Sequence, residues 1–265
     1  MNDQILPSEY LEFAEELADA AARVTLTYFR LPLEVENKEA ERFDPVTLAD
    51  KGAERAMRAL IGERFPGHGV LGEEEENIAG EEPWTWVLDP VDGTRSFISG
   101  IPLWGTLIAL NDGSRPALGV MDQPFTRERF IGDGETASLN GRPIQTRACG
   151  KLAEATLMVT SPEHFQQPPY SDIFQRLAGE ARLVRYSGDC YAYCMLALGL
   201  VDVVLDPGLK PYDIQALMPI IQGAGGVVSR WDGGDAQNGG DIIACGDPRL
   251  HAQLLDLLRG PVSPA

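Results

Sequence analysis

Two acidic segments of this sequence have the residue types and spacing to do chemistry: Gly72-Glu73-Glu74 and Asp89-Pro90-Val91-Asp92-Gly93-Thr94. Each follows a short apolar run, Val70-Leu71 and Trp84 to Leu88. If those runs are strands, both segments lie at carboxyl ends, where open sheets gather ligands. Magnesium takes hard oxygen ligands in near-octahedral geometry and keeps some of its waters. Glu73, Asp89, Asp92 and the backbone carbonyl of Val91 offer such a set. Two ions about 3.5–4 Å apart would clamp the attacking and leaving oxygens of an in-line displacement. Gly93 lets the backbone approach a ligand. Gly93, Thr94 and Arg95 would open a short helix whose free amides suit phosphate oxygens. Thr94, paired with a carboxylate such as Asp50, is the candidate to position and activate water. Taken singly, Glu73 to Glu76 reads as a solvated acidic face and Asp-Pro-x-Asp-Gly as a turn. Their joint occurrence, each after an apolar strand, favours a site. The spacing Asp-x-x-Asp-Gly-Thr has one residue more than the Asp-x-Asp-Gly-Thr of aspartyl-phosphate enzymes, and favours shared metals over a covalent intermediate.

The composition sets the frame for that chemistry. The chain has 265 residues, 44% hydrophobic and 23% charged, ordinary for a globular protein with a sizeable core. Its 40 acidic residues outweigh 22 basic ones, a net charge of −18. Non-specific nucleic-acid binding needs the opposite sign. An anionic substrate would be repelled as well, unless metal cations stood between it and the carboxylates. Cys149, Cys190, Cys194 and Cys245 form neither a disulfide framework nor a zinc knuckle, and Cys190 and Cys194, one helical turn apart, read as core thiols. No signal peptide or membrane span is expected, and the reducing cytoplasm is the expected compartment.

The elements that must position these residues follow from periodicity. Ser8 to Phe29 carries one apolar helical stripe, and an acidic connector, Glu34 to Asp44, follows. Thr47 is the expected N-cap of a second helix that stops before Pro66-Gly67-His68-Gly69. The strand Trp84 to Leu88 is expected to end at Asp89-Pro90. Leu103 to Leu110 and Ala117 to Met121 read as antiparallel neighbours, continued by Glu128 to Ile131 and a turn at Asn140-Gly141. Strand and helix alternate beyond, with helices at Ser171 to Leu177, Asp189 to Leu198, Tyr212 to Gln222 and Pro248 to Leu258. Gly223-Ala-Gly-Gly226 resembles a nucleotide loop, but it follows a helix and precedes a strand, so a helix C-cap is expected. His68, His164 and His251 are far apart, give no Ser/His/Asp triad, and are expected at the surface. Gly260 to Ala265 is expected to fray. The reading is one compact unit over 1–265: an antiparallel α+β half, 1–150, with the main acidic motifs, and an α/β half, 151–265.

Gly72-Glu73-Glu74, Leu88 to Thr94 and Asp44-Pro45-Val46-Thr47-Leu48-Ala49-Asp50 together resemble the inositol monophosphatase family, in order and interval and over nearly the whole chain. The resemblance implies an α-β-α-β-α layered sandwich, a homodimer, and Mg2+ dependence with two or three ions per site. It further implies lithium sensitivity and hydrolysis of phosphate monoesters by direct attack of water. It implies that Glu73, Asp89, Val91 (carbonyl), Asp92 and Asp213 hold metal. Asp50 and Thr94, with Glu73, would activate water, and Gly93, Thr94, Arg95, Asp189, Asp206 and Asp213 would meet the substrate. Lys210-Pro211-Tyr212-Asp213-Ile214, then Gly223-Ala224-Gly225-Gly226, departs from the family's inositol-specific pattern. Asp89 to Gly105, Asp122-Gln-Pro124, Ser187 to Tyr193 and Leu209 to Asp213 look most like the histidinol-phosphate phosphatase branch, which acts in histidine biosynthesis. Carboxylates at Asp189 and Asp206 would suit a cationic substrate body. The plainer alternatives are a helix cap at Asp189 and a turn at Asp206-Pro-Gly208. Other substrates open to the family are inositol 1-phosphate, fructose 1,6-bisphosphate and adenosine 3′,5′-bisphosphate. A non-enzymatic metal-binding protein of this fold would have no need of Asp50 and Thr94.

Overall fold

The computed structural model of the chain describes residues 8–32, 36–37 and 45–259. Asp44, most of the expected connector and the segment expected to fray, 260–265, lie outside the described residues. Helix α1 (Ser8–Tyr28) buries Phe13, Ala14, Leu17 and Ala21 along one stripe. Strands β1 (Glu36–Asn37) and β2 (Pro45–Val46) pair antiparallel. Helix α2 (Leu48–Arg64) starts at Thr47 with a capping box: Thr47 Oγ1 accepts from Ala49 N, and Asp50 Oδ2 accepts from Thr47 N.

A seven-stranded sheet comes next. Strands β3 (Gly69–Gly72) and β4 (Thr85–Asp92) run parallel, so their carboxyl ends share an edge. The short helix α3 (Thr94–Ile98) leads into the meander β5 (Gly105–Asn111), β6 (Pro116–Gln123), β7 (Glu128–Gly132), β8 (Ala137–Leu139) and β9 (Arg142–Pro143). The second half supplies β10 (Thr156–Val159), α4 (Tyr170–Glu180), β11 (Leu183–Tyr186), α5 (Asp189–Ala197) and β12 (Val203–Leu209). It continues with α6 (Pro211–Ile214), α7 (Leu217–Gly223), β13 (Val227–Arg230), β14 (Gly240–Cys245) and α8 (Pro248–Arg259). Its five strands lie in the order β11-β10-β12-β14-β13.

Alternation along the strands stacks these elements into α-β-α-β-α layers. Trp86, Leu88, Ile108 and Leu110 face α1 and α2, while Val87, Leu107 and Ala109 face the central helices α5 and α7. In the second sheet Val204, Ile242 and Ala244 also face that centre, and Val203, Leu205 and Ile243 pack under α4 and α8. Among the described residues no helix is long and apolar enough to cross a membrane. The four cysteines are buried and unpaired.

Glycine makes the central contact close. Gly119 on β6 stands opposite Gly132 on β7, and the α7 chain lies on both. A Cβ on Gly119 would overlap the carbonyl oxygen of Ala216, and one on Gly132 would sit 2.5 Å from Ile220 Cα.

Four expectations need correction. β4 does not end at Asp89 but runs to Asp92, with a register shift against β5 between them. Pro90 has no N–H for the ladder, so the strand steps there, and Thr106 Oγ1 donates to the Pro90 carbonyl at 2.8 Å. The single helix expected over Tyr212 to Gln222 is two helices, because the Pro219 ring excludes a continuous helix past the carbonyl of residue 215. Asp206-Pro207-Gly208 is not a free turn but lies within β12, with an irregular register against β14. His68 and His251 are buried, not exposed. His68 stacks on Phe65 and accepts from Trp86 Nε1 at 3.1 Å, and His251 meets Ser229 Oγ at 2.9 Å.

An ion pair on a buried carboxylate ties the two halves together. Asp202, 1% exposed, takes Arg147 through both oxygens, at 2.7 and 2.5 Å, and also accepts Thr156 N at 2.7 Å. Asp202→Asn loses the charge and turns one donor against another. It is expected to cost about 2–3 kcal/mol in urea denaturation, below the full cost of a broken buried pair because Arg147 stays partly solvated.

Candidate active site

The parallel pair β3–β4 delivers the two acidic segments to one edge, and the second half closes over them. A cleft of about 450 Å³ is lined by Glu73, Asp89, Asp92, Thr94, Asp189, Asp206 and Asp213, with Arg95 and Lys210 at its wall. Oxygens of Asp89, Asp92 and Asp213 lie within 4.8 Å of one another. Asp213 comes from α6, far along the chain, and is braced by Lys210 N at 2.6 Å. Asp92 is braced from the other half too, since Cys190 N at the start of α5 donates to Asp92 Oδ2 at 2.5 Å.

The motif between the aspartates is tightly folded. Val91 N donates to Asp89 Oδ1 at 3.1 Å. Gly93 adopts φ +85°, and a Cβ there would meet the Leu103 carbonyl at 2.8 Å, so only glycine fits comfortably. Beneath it Val91, Phe97 and the wholly buried Trp104 pack with Phe29 and Ala49. Thr94 Oγ1 lies 3.0 Å from the Val91 carbonyl and 3.4 Å from Asp50 Oδ1, so its single proton has two acceptors to choose between. Asp50 divides its oxygens: Oδ2 caps its own helix and Oδ1 faces Thr94.

Electrostatics give the cluster its chemistry. Burial, then the neighbouring Glu73, holds the Asp89 carboxyl far above the usual range, and burial, then Asp189, does the same to Asp92. Burial likewise pushes Asp213 and Asp206 up to about 7, and Asp50 and Asp189 up to about 6. The donor set is all hard oxygen, and its members oppose one another's ionisation. A divalent cation is the group that fits such a set. The sign follows for the protein without cation. Groups whose pKa is raised on folding bind more protons folded than unfolded, so stability falls as pH rises. Thermal denaturation in the presence of a chelator should show the melting temperature dropping between the unfolded carboxylate pKa of about 4 and the folded values of about 7. Added Mg2+ should reverse the loss at the alkaline end.

The structure brings Glu73, Asp89, Asp92, Gly93, Thr94, Arg95, Asp189, Asp206 and Asp213 to one cleft, with Asp50 directly behind Thr94 and Val91 facing it through its carbonyl. Asp189 is the first residue of α5, in the left-handed region at φ 43°, so it is not a simple side-chain cap. Sequence reasoning missed Glu163, His164 and Ser161, which line the same cleft from a single 3-10 turn, Pro162–Phe165, and its cap. Glu163 meets Arg95 at 3.3 Å across the mouth. One turn of helix is too short to leave a periodic signal. Glu54 was also missed, although a carboxylate on the apolar face of α2, between Ala53 and Met57, was a signal to be read.

Comparison with known proteins agrees with this geometry. A family model described as the inositol monophosphatase family matches residues 6–261. The bifunctional phosphatase IMPL2, chloroplastic, of Arabidopsis thaliana is 42% identical over 254 residues, covering 91% of this chain and 72% of the relative. A histidinol-phosphatase of Chlorobaculum parvum is 38% identical over 218 residues, covering 82% and 83%. An inositol monophosphatase structure from Zymomonas mobilis superposes with a TM-score of 0.86 at 39% identity, covering 97% of this chain and all of the other.

Proposed function

The chain belongs to the inositol monophosphatase family and is a phosphoric monoester hydrolase, and from that premise we propose that it is a Mg2+-dependent histidinol-phosphate phosphatase. Glu73, Asp89, Asp92, Asp213 and the Val91 carbonyl would hold the metal. When bound, the ions supply the positive charge that draws in the phosphate and stabilises the leaving oxygen. Thr94 orients the attacking water, and Asp50, with its carboxyl poised near 6, receives a proton through Thr94. Arg95, at the amino end of α3, lines the cleft and would lend its positive charge to the phosphate.

One observation carries the substrate class. Beyond the residues proposed to hold metal, the cleft wall carries three more carboxylates, Asp189, Asp206 and Glu163, against two cations, Arg95 and Lys210. Such a wall complements an amine and an imidazolium and repels a second phosphate. Histidinol-phosphatase relatives at 34–38% identity support the same reading. The test is phosphate release from histidinol phosphate, inositol 1-phosphate, fructose 1,6-bisphosphate and adenosine 3′,5′-bisphosphate with Mg2+, with and without Li+. Histidinol phosphate turned over no faster than inositol 1-phosphate would overturn the assignment. Thr94→Ala, which removes the hydroxyl and one methyl group at a half-buried position, should lower kcat about 10²–10³-fold with KM little changed. Steady-state kinetics of the variant checks this, and an equal rise in KM would point instead to lost substrate binding.

A further inference from the structure

Glu73 to Glu76 are four consecutive acidic residues, and nothing in their own chemistry would hold such a run still. Helix α2 supplies what the run lacks. Glu54, wholly buried, accepts Glu74 N on Oε2 at 2.8 Å and Glu75 N on Oε1 at 3.1 Å. Arg58, one turn on and only 8% exposed at its side chain, donates to Glu54 at 2.8 Å and to the carbonyls of Glu75 and Glu76, both at 3.1 Å. The carboxylate takes the loop's amides and the guanidinium takes its carbonyls. The neck of the loop is closed by reciprocal backbone bonds between Val70 and Ile78, and Gly72 N lies 3.3 Å from Asn77 Oδ1. Glu73 is thus flanked on both sides by tethered backbone. Gly72 completes the fit, since a Cβ there would collide with Glu54 and lie 2.6 Å from Arg58 Nη2.

We propose that Glu54 and Arg58 are positioning residues that set Glu73 for metal, so that α2 places Asp50 and Glu73 in one frame. This inference rests on the reading of Glu73 as a metal ligand. A buried ion pair whose bonds all went to its own helix would serve only stability. Here every loop-directed bond lands within three residues of Glu73. Groups that orient metal ligands alter metal affinity about 10–100-fold when removed.

The experiment titrates Mg2+ alone against Glu54→Gln and Arg58→Met, following thermal stabilisation and, separately, the Mg2+ dependence of turnover. The Mg2+ midpoint should rise about 10–100-fold in both readouts, with turnover at saturating Mg2+ recovering to within about threefold of the parent. Asp202→Asn, far from the cleft, is the control: it should lower the melting temperature without moving the midpoint. Midpoints in both variants equal to the parent's would overturn the proposal. If the parent itself showed no Mg2+ response, the metal reading of the cleft would fail instead, and the two failures are distinct. Hydrogen exchange on the parent needs no variant: the Glu74 and Glu75 amides should be protected without Mg2+, and fast exchange there would equally overturn the proposal.

Discussion

Asp89→Asn should cut hydrolysis by 10³-fold or more, by analogy with the loss of a single charge-stabilising group at about 10²–10³, and yet make the metal-free protein more stable above pH 7. Both effects come from one feature. Asp89 is 1% exposed and faces Glu73 and Asp92, so its ionised form is opposed by burial and by like charge. Asparagine keeps the acceptor for Val91 N and removes the repulsion. Without cation the variant should therefore melt higher than its parent at pH 8 and at the same temperature near pH 4, where both carry a neutral group. With cation the order should reverse, because the parent gains Mg2+ stabilisation and the variant does not. Calorimetry at two pH values, with chelator and with Mg2+, gives all four results. Normal turnover in the variant would exclude Asp89 as a ligand.

Gly119→Ala should cost more than 3 kcal/mol, at or beyond the upper end of about 1–3 kcal/mol for ordinary overpacking. The added methyl meets the backbone oxygen of Ala216, which cannot rotate away as a side chain would. Relief requires α7 to lift from β6, and α7 continues from α6, which bears Asp213. A soluble variant should accordingly bind Mg2+ more weakly as well as melt lower. Gly62 on α2 has nothing within 4 Å of its ideal Cβ, so Gly62→Ala should be stabilising by about 0.5–1 kcal/mol. Chemical denaturation of the pair isolates the steric term from glycine's backbone freedom. Equal effects at the two positions would refute the close helix–sheet contact.

The part of the site that was legible in sequence is the part made locally. Asp89, Val91, Asp92, Gly93 and Thr94 sit within six residues after an apolar strand, and Thr47 to Asp50 carries its own capping chemistry. Strand alternation at Trp86 to Leu88 and at Leu107 to Leu110 sorts residues onto two faces, because a period of two is fixed by the backbone. Asp213 is different. Nothing within its segment says that α6 will lie beside β4, and it was reachable only through resemblance to a family. The split of α6 from α7 was in principle readable at Pro219, but an apolar stripe on both sides masked it. His68 was misjudged because its neighbours Tyr10, Phe65 and the Trp84–Trp86 pair come from three segments, and together they wall off a loop residue that would otherwise be wet. Glu54 was missed for the converse reason: apart from Arg58, its partners are backbone groups of the acidic loop, which carry no side-chain signature.

Trp104 has a spectroscopic consequence. Its indole is wholly enclosed between Phe97 and Phe29, at 4.8 and 5.3 Å between ring centres, and its N–H finds no acceptor among the described residues. A dry indole with no hydrogen bond emits at the short-wavelength limit. Its backbone also lies 3.2 Å from where a side chain on Gly93 would begin, directly under the turn that separates the two β4 aspartates from Thr94. The protein thus carries an intrinsic fluorophore beneath its acidic turn, in a shell separate from the His68-bonded Trp86.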